Sequence, residues 1–247
     1  MIDLRIVPDK QTLGAAAAEL GAAAIREALS RSGEATIVVA TGASQFEMLQ
    51  ALVASDGIDW SKVTAFHLDE YVGLGTDHPA SFRRYLEERF VGPLGGRVRF
   101  MPIDGLAEPV AEAQRLNRLI GGRRIDVCFA GIGENCHLAF NDPPADFDIE
   151  EPYIIVTLDE ACRRQQFGEG WFPDLEAVPQ RAISMSVRQI LKSALIVLSV
   201  SDTRKAQATR DALEGEVTPL HPASILQRHA RTVAFVDPAA SALLSRS

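Results

Sequence analysis

Three groups of residues in this chain have the types and spacing that chemistry requires. The densest runs from Ile125 to Pro143. Its apolar opening, Ile125–Ala130, has the form of a parallel strand covered on both faces. Gly131 and Gly133 then let the backbone turn sharply and approach a ligand. His137 follows between Asn135 and Asp142, and Pro143-Pro144 ends the segment. A histidine with polar neighbours just past the carboxyl end of a buried strand stands where open α/β sheets bind ligands. Proton transfer is what such an imidazole can offer near neutral pH. Gly131-Ile132-Gly133 lacks the third glycine of a dinucleotide fingerprint, so a nucleotide cofactor is not indicated.

The second group is Asp69 and Glu70. Lys62–Tyr71 reads as one strand ending in two acids, and alternation puts His67, Asp69 and Tyr71 on one face and Phe66, Leu68 and Glu70 on the other. Such a pair can be a general base, part of a metal site, or a solvated strand end. A metal shared by His67, Asp69 and His137 is poorly supported, because no third ligand clusters with the His-x-Asp pair.

The third group is the turn Thr41-Gly42-Ala43-Ser44-Gln45, between the strand Ala35–Ala40 and a helix that starts at Phe46. A small polar turn entering a helix directs N–H groups and hydroxyls at an anion, helped by the helix dipole. Ser44 reads equally well as a helix cap. The Gly-Lys-Ser/Thr of a P-loop is absent, which disfavours a nucleoside triphosphate. Arg204 and Lys205 fall in the first turn of a helix over Thr203–Leu213, where the dipole prefers acids. An anion held between them accounts for that placement, and so do solvated side chains.

The elements that must position these groups alternate along the whole length. Helices are expected over Asp9–Ser32, Phe46–Leu52, Ser81–Phe90 and Glu108–Ile120, from Asp159 onward, and over Val187–Lys192, Thr203–Leu213 and Ala223–Gln227. Strands are expected at Ala35–Ala40, Lys62–Tyr71, Val98–Met101, Ile125–Ala130, Tyr153–Leu158, Arg181–Met185, Leu195–Val200 and Thr232–Phe235, the last closing the sheet. The alternation predicts an α/β fold: a single domain over 1–247, a doubly wound, mostly parallel sheet with helices on both faces. The alanines of the first helix imply close helix packing. The loop Gly168–Pro173 reads as a lid or as a loop pinned to the core by Trp171.

Apolar residues make up 47% of the 247 residues and charged residues 23%, ordinary for a globular protein of enzyme size. A net charge of −8 argues against nucleic acid or an anionic membrane as partner. It leaves room for an anionic metabolite, since a helix amino terminus and one lysine suffice to make a local anion site. Cys128, Cys136 and Cys162 suit neither a disulfide framework nor a zinc cluster by spacing, so reduced thiols are expected. Met1–Arg5 lacks the start of a signal peptide and no apolar run is long enough to span a membrane, so a cytoplasmic protein is expected. Self-association into a homo-oligomer is compatible with all of this.

Taken in order, Ala40-Thr41-Gly42-Ala43-Ser44, Leu68-Asp69-Glu70-Tyr71-Val72-Gly73-Leu74, His78-Pro79-Ala80-Ser81, Gly131 through Pro143 and Lys205-Ala206 resemble the glucosamine-6-phosphate deaminase/isomerase family over nearly the whole chain. The related 6-phosphogluconolactonases usually carry His-Thr-Ala-Ser where this chain has His137-Leu138-Ala139-Phe140. The resemblance implies conversion of glucosamine 6-phosphate to fructose 6-phosphate and ammonia, with neither metal nor organic cofactor. It implies that Asp69 is the base moving a proton from C2 to C1, that His137 helps open the pyranose ring, and that neighbouring groups at Asn135 and Asp142 orient it. Thr41, Gly42, Ala43, Ser44, Gln45 and Lys205 would hold the phosphate, with Glu70 and Gly133 also at the substrate. Two departures stand out. The family's Asp-Gly-His is Asn135-Cys136-His137 here, and its Glu is Asp142. No arginine carries over within Cys162–Phe167. A sugar-phosphate lactone hydrolase using His137 as base to water, and a non-catalytic sugar-phosphate sensor, are the alternatives.

Overall fold

The computed structural model describes residues 2–245; residues 1, 246 and 247, the ends of the expected 1–247 domain, lie outside the described residues. In chain order the elements are β1 (Asp3–Ile6), α1 (Lys10–Ser32), β2 (Ala35–Val39), α2 (Phe46–Val53), β3 (Val63–His67), β4 (Asp69–Tyr71), α3 (Phe82–Leu86), β5 (Arg99–Met101) and α4 (Pro109–Ile120). There follow β6 (Val127–Ala130), β7 (Tyr153–Thr157), α5 (Glu160–Gly168), β8 (Arg181–Met185), α6 (Val187–Leu191), β9 (Ile196–Val200), α7 (Ala206–Leu213) and β10 (Thr232–Val236).

Seven strands form one sheet in the order β1-β10-β9-β6-β2-β3-β5, and every pairing within it is parallel. Its central strands are buried throughout and mostly apolar because both faces are covered. Ile37 and Val39 of β2, Phe129 of β6 and Val197 of β9 pack with Leu13, Ala17 and Ile25 of α1 on one face. Val38, Cys128 and Leu198 face the other way, toward Leu116 of α4 and Ala212 of α7. The small residues of α1 do let it lie close: a Cβ added at Gly21 would run into the Phe129 ring, and one at Gly14 into Glu47 and Met48 of α2. Asp9 caps the helix, accepting from Thr12 N at 2.7 Å, and Gly33 ends it at φ +77°.

The sequence expectation needs correcting at several elements. Lys62–Tyr71 is not one strand. The Leu68 N–H donates to Val39 O at 3.2 Å, continuing the parallel ladder, while Leu68 O accepts from Met185 N at 2.7 Å. At that residue the chain leaves the main sheet for a second one, antiparallel, in the order β4-β8-β7. Alternation cannot reveal such a transfer, since both halves stay extended. Tyr153–Leu158 and Arg181–Met185 therefore belong to the small sheet rather than the large one. Thr232–Phe235 does not close the main sheet, because β1 lies outside it, paired Asp3 to Val233 and Ile6 to Val236. This edge strand has only four residues, alternates polar and apolar side chains and is mostly exposed, too short a run to stand out. The expected helix over Ser81–Phe90 becomes a π-turn after Leu86, and the first turn of Thr203–Leu213 is a 3₁₀ turn. Phe172, not Trp171, pins the Gly168–Pro173 loop: Phe172 is buried while Trp171 is 40% exposed.

Candidate active site

The strand order reverses direction beside β2. From β2 the chain adds β3 and β5 on one side, then returns to place β6, β9 and β10 on the other. A crevice forms outside the carboxyl ends of the strands at such a switch point. There the structure has an open cavity of about 820 Å³, its mouth included. Much of its wall comes from strand carboxyl ends: Thr41–Ser44 after β2, Leu68 and Asp69 after β3, Gly131–Gly133 and His137 after β6, and Ser201, Asp202, Arg204 and Lys205 after β9. Residues more than 100 positions apart in sequence are thus brought to one hollow.

At the phosphate-type end, the turn after β2 reverses at Gly42, φ +100°, a conformation that side chains disfavour. Ser44 makes no helix-capping bond: neither the short 3₁₀ turn Ala43–Gln45 nor α2 has a side-chain cap. Its hydroxyl instead receives a bond from Gln45 Nε2 at 3.2 Å and lines the cavity. Gln45 itself is fully buried, reaching Ala130 O at 3.3 Å, and does not line the hollow. Lys205 lines it with an ammonium whose pKa burial pushes down.

At the other end, Asp69 is 7% exposed and lines the cavity. Burial, then the neighbouring Glu70 carboxylate, push its pKa up to about 8. Glu70 points elsewhere. Its carboxylate accepts from Ser81 Oγ and Arg83 N, both at 2.8 Å, from Tyr71 N at 2.9 Å and from Phe82 N at 3.2 Å, so it secures the start of α3. His67 is also turned away from the cavity. Its Nε2 accepts from Ile103 N at 2.8 Å, its ring lies against Phe100, and burial lowers its pKa to about 3. The His67–Asp69–His137 grouping weighed from sequence is therefore not assembled.

His137 sits over Gly133 so closely that a Cβ there would land on the imidazole. Its Nδ1 lies 3.1 Å from Asp142 Oδ1, within ion-pair distance but off the line of a well-directed hydrogen bond. Asn135 organises the surroundings. Its Oδ1 accepts from His137 N at 3.1 Å, and its Nδ2 donates to Asp142 Oδ1 at 3.0 Å and to Asp159 Oδ2 at 3.3 Å. Asp142 also accepts from Asp159 N at 3.0 Å. Burial opposes its charge, yet His137, the Asn135 amide and the Asp159 N–H outweigh burial and hold its pKa below the usual carboxylate range. Asn135 and Asp142 thus stand behind the imidazole rather than in the cavity wall.

Sequence reasoning missed several neighbours. Cys162 brings its sulfur to Asp142 and His137, so that the three possible ligand atoms lie within 4.8 Å of one another. Burial, then the Asp142 and Asp159 carboxylates, push that thiol far up in pKa, so it stands protonated behind His137. Spacing could not have shown it. Lys10, Gln165, Gln166 and Glu169 also line the cavity; their elements were expected from the sequence, their convergence on the site was not. Cys136 adopts the left-handed conformation at φ +68°.

Among the described residues no helix is long and apolar enough to cross a membrane. Residues 8–235 match the family described as glucosamine-6-phosphate isomerases/6-phosphogluconolactonase. A protein of Exiguobacterium sibiricum named glucosamine-6-phosphate deaminase is 38% identical over 210 residues, which span 85% of this chain and 81% of that one. The solved structure of a monomeric glucosamine-6-phosphate deaminase superposes with a TM-score of 0.86 at 30% identity, covering 98% of this chain and 100% of its own. A 6-phosphogluconolactonase from Shewanella baltica superposes with a TM-score of 0.81 at 21% identity over 96% and 98% of the two chains, a likeness of fold alone. With the same architecture and a match that spans the sheet and its site, this chain belongs to the glucosamine-6-phosphate isomerase/6-phosphogluconolactonase family.

Proposed function

We propose that the protein deaminates glucosamine 6-phosphate to fructose 6-phosphate and ammonia. The observation that carries this is the convergence of Asp69, His137 and the Thr41–Ser44 turn with Lys205 on one cavity. The phosphate occupies the turn, where a hydroxyl, N–H groups and an ammonium meet. The sugar then extends toward Asp69 and His137. His137 shuttles the proton that opening the ring requires, with Asp142 balancing its charge. Asp69 takes the C2 proton and returns it to C1, while the C1 carbonyl oxygen gains a proton and the amine gives one up, which turns the amine-bearing carbon into an imine. Water adds to that imine and ammonia leaves, so the ketose phosphate is formed. Asp69 suits this step because a base whose pKa lies near the working pH combines availability with proton affinity, and the cavity fixes its position. Names of relatives at 34% and 38% identity support the same substrate. The test is joint measurement of ammonia and fructose 6-phosphate from glucosamine 6-phosphate, beside other hexosamine phosphates, hexose phosphates and 6-phosphogluconolactone. Equal amounts of both products from the first substrate are expected. Hydrolysis of the lactone with no ammonia from any hexosamine phosphate would overturn the proposal.

A further inference from the structure

The cavity's phosphate end contains a cation that the scheme above does not use. Arg204 lines the hollow next to Lys205, and among the described residues lining it Arg204 is the sole guanidinium. The helix bordering the same space, α5, contributes Gln165 and Gln166 there and no arginine. Among the described residues the Arg204 guanidinium is held by carboxylates: Nη1 lies 3.4 Å from Glu134 Oε1, Nη2 3.1 Å from Asp202 Oδ2, and Nε donates to Asp202 Oδ1 at 3.3 Å. Its side chain is 52% exposed. Ion pairs as exposed as these hold weakly and exchange readily. A phosphate dianion is a better partner, because two of its oxygens match the guanidinium fork and it carries more charge than a carboxylate.

The position of Glu134 gives the exchange a consequence. It follows Gly133, on which the His137 ring is packed, and precedes Asn135, whose side chain accepts from His137 N. Its own N–H donates to Gln165 Oε1 at 2.8 Å. The Arg204–Glu134 pair therefore spans from the phosphate end to the loop that carries the imidazole.

We propose that Arg204 is a phosphate-binding residue, and that Glu134 and the substrate's phosphate compete for its guanidinium. This rests on the reading of the Thr41–Ser44 end as the phosphate site. The test is calorimetric titration of the intact protein with inorganic phosphate, which needs no turnover, with folding checked by circular dichroism. In Arg204→Met the dissociation constant is expected to rise about tenfold or more, the usual weight of a charge-assisted hydrogen bond. Arg204→Lys lies between, keeping charge without the fork. Glu134→Gln removes the competitor, so phosphate should bind about two- to fivefold tighter, the range of an exposed pair. KM for glucosamine 6-phosphate should follow the same order, with kcat moving less. A pair that merely braced the loop would make both substitutions weaken binding, and that outcome overturns the proposal. So does unchanged affinity in Arg204→Met, or wild-type protein that takes up no phosphate. If phosphate binding shifts as stated while no hexosamine phosphate yields ammonia, the reaction assignment fails and Arg204 keeps its role.

Discussion

The most exposed consequence of the site is the pH dependence of Asp69. Its carboxyl is pushed up to about 8, by burial first and by the Glu70 carboxylate second. The group acts as a base only when ionised. With a pKa near 8, about one molecule in eleven of the free enzyme carries the ionised form at pH 7 and about ten in eleven do at pH 9. Because kcat/KM follows the ionisation of the free enzyme, it should climb about tenfold across that interval, once the separately measured titration of the substrate's own amine is divided out. Asp69→Asn cannot take the proton and should lower kcat/KM by ~10²–10⁴, the usual worth of a positioned general base. Glu70→Gln removes the second cause and leaves the first, so the limb should move to lower pH without reaching an ordinary aspartate's value. Ammonia release followed continuously between pH 6 and 9.5 reads all three proteins. A flat corrected profile, or an Asp69→Asn variant retaining more than a tenth of the activity, would refute Asp69 as the base.

Two further substitutions probe the loop that carries the imidazole. Gly133→Ala puts a methyl group where the His137 ring lies; displacement of about 1 Å is enough to lower turnover about 10²-fold, while circular dichroism should show the sheet intact. Cys136 sits at φ +68°, where a side chain costs ~1–2 kcal/mol that glycine escapes, against ~0.4–1 kcal/mol that glycine loses through the freer unfolded chain. Cys136→Gly should therefore be more stable than Cys136→Ala by about 0.5–1 kcal/mol in urea unfolding, a comparison in which both variants lose the sulfur. Alanine proving the more stable of the two would show that the conformation is unstrained.

How much of this was legible beforehand depended on the range of the interaction. The central strands announced themselves because both faces of β2, β6 and β9 are buried and leave mostly apolar, β-branched runs. Asp69, His137 and the Thr41–Ser44 turn were legible because each sits just past such a run, where the sheet must end and a ligand can enter. The transfer of the chain between sheets at Leu68 was not. It is decided by Met185, more than 100 residues away, which donates to Leu68 O. The same holds for Glu70, whose role as an anchor for α3 depends on Ser81, Phe82 and Arg83 arriving within hydrogen-bond reach. Strand β1 left no trace because its partner, not its own composition, makes it a strand.

The substitution of Asn135 for the family's aspartate looks from sequence like the loss of the charge that steadies an imidazolium. The geometry argues otherwise. The carboxylate facing His137 belongs to Asp142, 3.1 Å from Nδ1, and its pKa is held low despite burial. Asn135 stands behind it, between Asp142 at 3.0 Å and Asp159 at 3.3 Å, donating to both. A third carboxylate in that place would meet each of the others with about 5 kcal/mol of repulsion at an effective dielectric of ~20, and the cluster would take up a proton to relieve it. With Asp159 present, an amide is the side chain that lets Asp142 stay ionised while its Oδ1 still orients the backbone of His137. The neutral residue therefore preserves the counter-charge at the imidazole, which Asp142 supplies from the position where the family pattern has its Glu.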